Sequence, residues 1–164
     1  MRRFFVYYLV PDKTLTLFVK IVRPLSYNPV TDGLPDSWWA SYGITGPARA
    51  ATHDPDGDGM ANLVEYGLGG NPTNANGNLL TANTSTNLGG TTWWRFGFRA
   101  RTNDAALAIQ PVFKSSLTDA DWSTNGVVRK VSGTPVAGGE YEDQVWETPM
   151  DGADRKFLRL RVTK

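Results

Sequence analysis

The sequence predicts a mainly β protein with a small α part, an antiparallel β-sandwich joined to a helix–loop–helix module. Three observations lead there. From about residue 91 onward, apolar and polar residues alternate with period two, as in half-buried strands. The 17 Gly and 10 Pro accompany 6 Trp, 6 Tyr and 7 Phe, a composition of short aromatic strands joined by tight turns. Helical spacing is confined to two short stretches before residue 70.

Residues 1–27 read as an N-terminal β segment. In TLTLFVKIV, Leu15, Leu17, Val19 and Ile21 share one face, which requires a partner sheet. That partner is expected either in the C-terminal domain or in an upstream domain of which this segment is a remnant. The start, MRRFFVYYLVPDK, loosely imitates a secretory signal. Pro11-Asp12-Lys13 interrupts its apolar run, however, and no small-residue cleavage site follows. A fragment or a mis-started gene is therefore expected. No apolar stretch approaches the about 20 residues needed to cross a membrane.

Residues 28–75 are expected to form a helical module. Pro35 suits a first helical position, and Asp36 in the first turn complements the helix dipole. Gly43 stops that helix, and residues 46–53 suit one or two further helical turns. Met60, Leu63, Val64 and Leu68 then form an apolar helical stripe, ended by Gly69-Gly70 and Asn71-Pro72. Residues 76–91, rich in Asn, Thr and Gly without periodicity, read as a linker.

Residues 92–164 are expected as the β-sandwich, with five strands near 93–101, 106–115, 126–132, 139–147 and 156–163. Trp94, Phe96, Phe98 and Ala100 share one face of the first. Leu158, Leu160 and Val162 share one face of the last. Asp119-Ala120-Asp121, Gly138-Gly139 and Asp151-Gly152 supply the turns.

Composition narrows the chemistry. Seventeen basic and sixteen acidic residues nearly cancel, which disfavours a globally basic nucleic-acid binder. The absence of cysteine excludes disulfides, iron–sulfur clusters, thiolate zinc sites and cysteine nucleophiles. His53 is the single histidine, so chemistry needing two in one chain is excluded as well. Charge is unevenly spread. Residues 26–94 hold one base, Arg49, against six acids, and four of those acids fall between Asp54 and Glu65.

That cluster, DPDGDGMANLVE, satisfies D-x-[DN]-x-[DN]-G-x5-E at every specified position. Calcium takes six to eight oxygen ligands, and the pattern offers them. Asp54, Asp56 and Asp58 alternate, so a tight loop can turn three short carboxylates inward. Gly59 permits the sharp turn, and Met60 offers its backbone carbonyl. Asn62 stands where a side chain often binds through water, and Glu65 arrives one helical turn later. The cofactor expected from this spacing is Ca2+, with Asp54, Asp56, Asp58, Met60, Asn62 and Glu65 as its metal site. The alternative is a polar Asp-Gly turn followed by an unrelated helix. His53, flanking the loop, reads as incidental to it.

Pro55 after the first ligand, and Pro47 in the segment before, argue against a long entering helix. The loop instead resembles dockerin-like and thrombospondin type 3-like calcium-binding repeats. The resemblance rests on Asp32-Gly33-Leu34-Pro35-Asp36 with Trp38, then Asp54 to Asp58, Asn62, Glu65, Tyr66 and Pro72. It implies a structural calcium module in an exported or cell-surface bacterial protein. An upstream echo from Asn28 places Val30 and Trp39 at ligand positions, so no second ion is expected. Asp32 or Asp36 would at most lean on the first site. WWRFGFRARTND, the turn at Asp119–Trp122 and the closing KFLRLRV resemble a C-terminal β-domain of secreted proteins from polysaccharide-degrading bacteria. That likeness implies location more than chemistry.

The function expected is a non-catalytic, calcium-stabilised accessory or surface-attachment module of a larger exported protein. Its expected partners are the parent multidomain protein and a polysaccharide or cell-surface component, with no nucleic acid and no membrane span. The alternative is a carbohydrate-binding module, with Trp93, Trp122 or Trp146 stacking on sugars and Glu140, Glu142 and Asp143 binding hydroxyls. Exposed Arg95, Arg99, Arg101, Arg159 and Arg161 suit either acidic glycans or cross-strand acids. An enzyme is not expected: Glu140, Glu142, Asp143 and Glu147 supply carboxylates, but nothing marks a cleft.

Overall fold

The computed structural model describes residues 33–75, 79–114, 116–124, 129–150 and 156–164. The expected strand within residues 1–27 and the Asp151-Gly152 turn lie outside them. Residues Asp32–Lys164 form one compact unit. Its described residues are mainly β, with two antiparallel sheets and two short α-helices.

Helix α1 spans Asp36–Ser41. Pro35 takes the N-cap position rather than the first helical one, with ψ of 139°. Asp36 sits in the first turn as expected, and its carboxylate accepts a hydrogen bond from the Arg49 guanidinium. Gly43, at φ 67°, follows the C-cap Tyr42 in a conformation that costs a side chain more than glycine. Residues Gly46–Arg49 make one 3-10 turn.

Helix α2 spans Asn62–Leu68 and ends at Gly69, which adopts the left-handed conformation at φ 74°. Its first amides find acceptors in the preceding segment. Asn62 N–H donates to the His53 carbonyl at 2.8 Å, and Leu63 N–H to the Ala51 carbonyl at 2.9 Å. This substitutes for a side-chain cap, which Ala61 cannot supply.

Among the described residues six strands follow: β1 Leu80–Leu88, β2 Thr91–Arg101, β3 Ala108–Lys114, β4 Arg129–Pro135, β5 Tyr141–Pro149 and β6 Phe157–Thr163. One sheet has the order β1-β2-β5-β4, and β3 pairs with β6 in the second. The expected linker therefore needs correction, because Leu80–Leu88 within residues 76–91 is a strand. Its Thr- and Asn-rich sequence shows no apolar alternation, since β1 is an edge strand whose residues are mostly exposed. Pairing with β2, not burial, holds it in place.

The alternation in β2 and β6 appears as expected. Phe96 and Phe98 are fully buried, and Ala100 nearly so. They share an apolar cluster with Leu68 of α2 and Phe113 of β3, against which Leu158 and Leu160 of β6 also pack. A second cluster gathers Leu34, Trp38, Trp39, Ile44 and Tyr66 around α1 and α2. Close approach of helix and sheet needs Gly67, where a Cβ would stand 3.0 Å from Val162 Cγ1.

Candidate metal centre and adjoining cleft

The acidic loop is built from its own backbone. Gly57 and Gly59 take φ of 77° and 92°, which turns the chain sharply twice. Asp54 accepts hydrogen bonds from Gly57 N–H (2.9 Å) and Gly59 N–H (2.8 Å). Asp56 accepts one from Asp58 N–H at 3.2 Å, and Asp58 one from Met60 N–H at 2.8 Å. These bonds hold the three side chains on the inside of the loop. Each of Asp54, Asp56 and Asp58 offers a carboxylate oxygen within 4.8 Å of the others. The Asp54 carboxyl is held below the ordinary carboxylate range, chiefly by the Gly59 amide hydrogen bond.

The remaining expected ligands are placed differently. Glu65 is fully buried on α2 and stands outside the set of acids gathered within 4.8 Å. Asn62 is also fully buried, and its amide nitrogen donates to the Ala48 and Ala50 carbonyls at 3.0 and 2.9 Å. The Asn62 side chain thus staples the 3-10 turn to α2, while its Oδ1 is buried without a hydrogen-bond partner. Asp56 Oδ2 is likewise buried without one. Met60 follows the trio, half-buried, at the entrance to the helix. His53 is exposed, with its backbone engaged by Ala50 and Asn62.

This donor set fits a hard divalent cation. Three convergent carboxylates repel one another, an ion of opposite charge would relieve that repulsion, and Asp56 Oδ2 is buried without a hydrogen-bond partner. Asp36, considered as a supporting acid, instead pairs with Arg49. Asp32 lies outside the described residues.

The expected surface residues divide clearly. Arg95 Nε donates to Glu147 at 2.9 Å across the β2–β5 register. Arg99 binds Asp143 through two hydrogen bonds, and Arg101 lies 3.5 Å from Glu140. Arg161 donates to Gln110, and Arg159 lies over Trp122 at 5.0 Å. Glu142 pairs with Lys130. Of the tryptophans, Trp146 stacks on Phe98 and packs against the core. Trp122 is flanked by Lys114 and Arg159, and Trp93 is half-buried.

Tertiary structure also forms a cleft of about 550 Å³ that the sequence did not announce. Ser37, Trp38 and Ser41 of α1 line one side, and Tyr66 of α2 lies against them. Arg101, Asn103 and Asp104 contribute from the end of β2, with Glu140 before β5 and Lys164 beyond β6. Tyr66 Oη donates to Asp104 at 2.8 Å, and Lys164 Nζ donates to the same carboxylate at 2.5 Å. Burial and the Asp104 bond push the Tyr66 hydroxyl up to about 12. The Lys164 and Tyr66 hydrogen bonds hold the Asp104 carboxyl low. No local pattern could have revealed this cleft, because its residues come from five separate stretches of chain.

Comparison with protein-family models, curated proteins and solved structures finds no match for this chain.

Proposed function

We propose that this chain is a non-catalytic accessory module braced by calcium, part of an exported or surface-attached protein. The observation that carries the reading is the convergence of Asp54, Asp56 and Asp58 within 4.8 Å on the loop that leads into α2. Asp54, Asp56 and Asp58 would hold the ion directly, with the Met60 carbonyl beside them. Glu65, buried on α2, would be the fourth carboxylate of the set. Asn62 would fix the loop's exit by its staple to Ala48 and Ala50. The ion would supply charge neutralisation and a cross-link between loop and helix. Magnesium suits this set less well, since it demands strict octahedral geometry and keeps its waters.

In this reading the two sheets are the facing layers of a sandwich. Phe96 and Phe98 from one sheet, and Phe113 from the other, share a single apolar cluster, which supports that arrangement.

Thermal unfolding with excess calcium, with chelator and with magnesium tests the proposal. Affinity typical of extracellular modules is about 10⁻⁴–10⁻³ M. At a calcium concentration of about 100 Kd, an ion that binds only the folded state stabilises it by about 2.7 kcal/mol. A calcium-specific rise in Tm is expected. Identical curves in calcium and chelator would reduce the loop to a polar turn.

A further inference from the structure

We infer that the cleft between α1, α2 and the end of β2 binds an uncharged, hydroxyl-rich ligand of the saccharide class. The inference shares no residue with the calcium site and uses none of Trp93, Trp122 and Trp146. Its test reads the cleft's own amides, so its failure is distinguishable from a failure of the calcium reading.

Size permits a small ligand. The cleft's 550 Å³ lies inside the range of about 300–1,000 Å³ usual for small-molecule sites. Charge then selects its class. Two cations and two carboxylates line the cleft, already matched as Lys164 with Asp104 and Arg101 with Glu140. An anion would have to displace a carboxylate from its cation, and a cationic ligand would meet the reverse obstacle. Neither gains net attraction from a balanced set.

An apolar ligand fares no better. The Tyr66 ring is 2% exposed and carries Arg101 at 4.1 Å and Lys164 at 5.2 Å. Hydroxyl groups suit these walls because each both donates and accepts. A diol can accept from a cation and donate to its carboxylate without separating the two. The Asn103 amide accepts from Arg101 and donates to Glu140, which leaves its second N–H and second lone pair for a ligand, and exposed Ser37 adds a hydroxyl.

Asp104 does not suit the role of a glycosidase acid. A glycosidase acid needs a carboxyl with a raised pKa, whereas Lys164 holds Asp104 low. The bond between Tyr66 and Asp104 further commits that carboxylate to accepting.

The test is a titration of the full ¹⁵N-labelled chain, followed by amide chemical shifts. The neutral probes are the methyl glycosides of glucose, galactose, mannose and xylose, together with cellobiose. Glucuronate and inorganic phosphate are the charged counterparts. At least one neutral probe should saturably shift the amides of Ser37, Asn103, Asp104 and Glu140. Asn103→Ala should weaken that binding about tenfold, the loss of one well-placed hydrogen-bonding group. Ser37→Ala, on an exposed helix position, is the second variant should the first perturb the fold. The inference is overturned if no neutral probe gives a saturable shift, or if glucuronate or phosphate binds more tightly. Shifts centred on Trp93 or Trp122 instead of the cleft would overturn it too.

Discussion

Tyr66 Oη donates a 2.8 Å hydrogen bond to Asp104 Oδ2, joining helix α2 to the loop between β2 and β3. The joint is reinforced on the backbone, where Arg101 Nε donates to the Tyr66 carbonyl at 3.0 Å. The helix that leaves the acidic loop is therefore anchored directly in the β part. Tyr66 is the residue after Glu65, so anything that fixes the loop bears on the same seven-residue helix.

Tyr66→Phe keeps the ring and its place against Trp38 but removes the hydroxyl. It should lower stability by about 1 kcal/mol, the usual net worth of one hydrogen bond. Urea unfolding checks this. An unchanged midpoint would mean that the bond contributes nothing and that packing alone holds α2.

Asp58→Ala removes a member of the acidic trio, together with the acceptor for Met60 N–H. The calcium-dependent rise in Tm should disappear, while the Tm in chelator should stay near that of the parent chain. For a chain of this size, about 1 kcal/mol corresponds to roughly 2–4 °C. A mutant that still answers to calcium like the parent would place the ion elsewhere.

Gly97 lies opposite a β-bulge, where the β1–β2 register shifts between Leu80 and Ala82. A Cβ there would stand 2.7 Å from Thr81 Oγ1 and 3.2 Å from the Ala82 backbone nitrogen. Gly97→Ala should therefore cost about 1–3 kcal/mol, the usual penalty for overpacking. The loss should be accompanied by weaker amide protection along β1. Full protection there would show that the strand yields without cost.

Acid should weaken the sheet in a defined sense. The Asp143 carboxyl is held low chiefly by its hydrogen bond to Arg99, and Glu142 chiefly by its bond to Lys130. Both folded-state pKa values lie below the unfolded ones. Their stabilisation is present above the ordinary carboxylate range, about pH 4, and fades as pH falls through the folded values. Asp143→Asn should flatten that part of the stability–pH curve. The effect should be small and shrink further with added salt, because Arg99 and Asp143 are each about 40% exposed.

Much of the molecule was legible locally. The burial of Phe96, Phe98 and Ala100 followed from alternation alone, because successive strand residues point to opposite faces. The stop at Gly69 and the inward set of Asp54, Asp56 and Asp58 followed from spacing within a few residues. Strand β1 did not. Its sequence, LTANTSTNL, carries no apolar pattern, and only the free edge of β2 makes it a strand. The partners of Arg95 and Arg99 likewise waited for the β2–β5 register, although acids had been expected across from them. The cleft belongs wholly to tertiary structure. Trp38, Tyr66, Asp104, Glu140 and Lys164 are remote in the chain, and chain folding alone decides which distant polar groups meet. Periodicity records which face of an element is buried. It carries no information about what that face, or its edge, will meet.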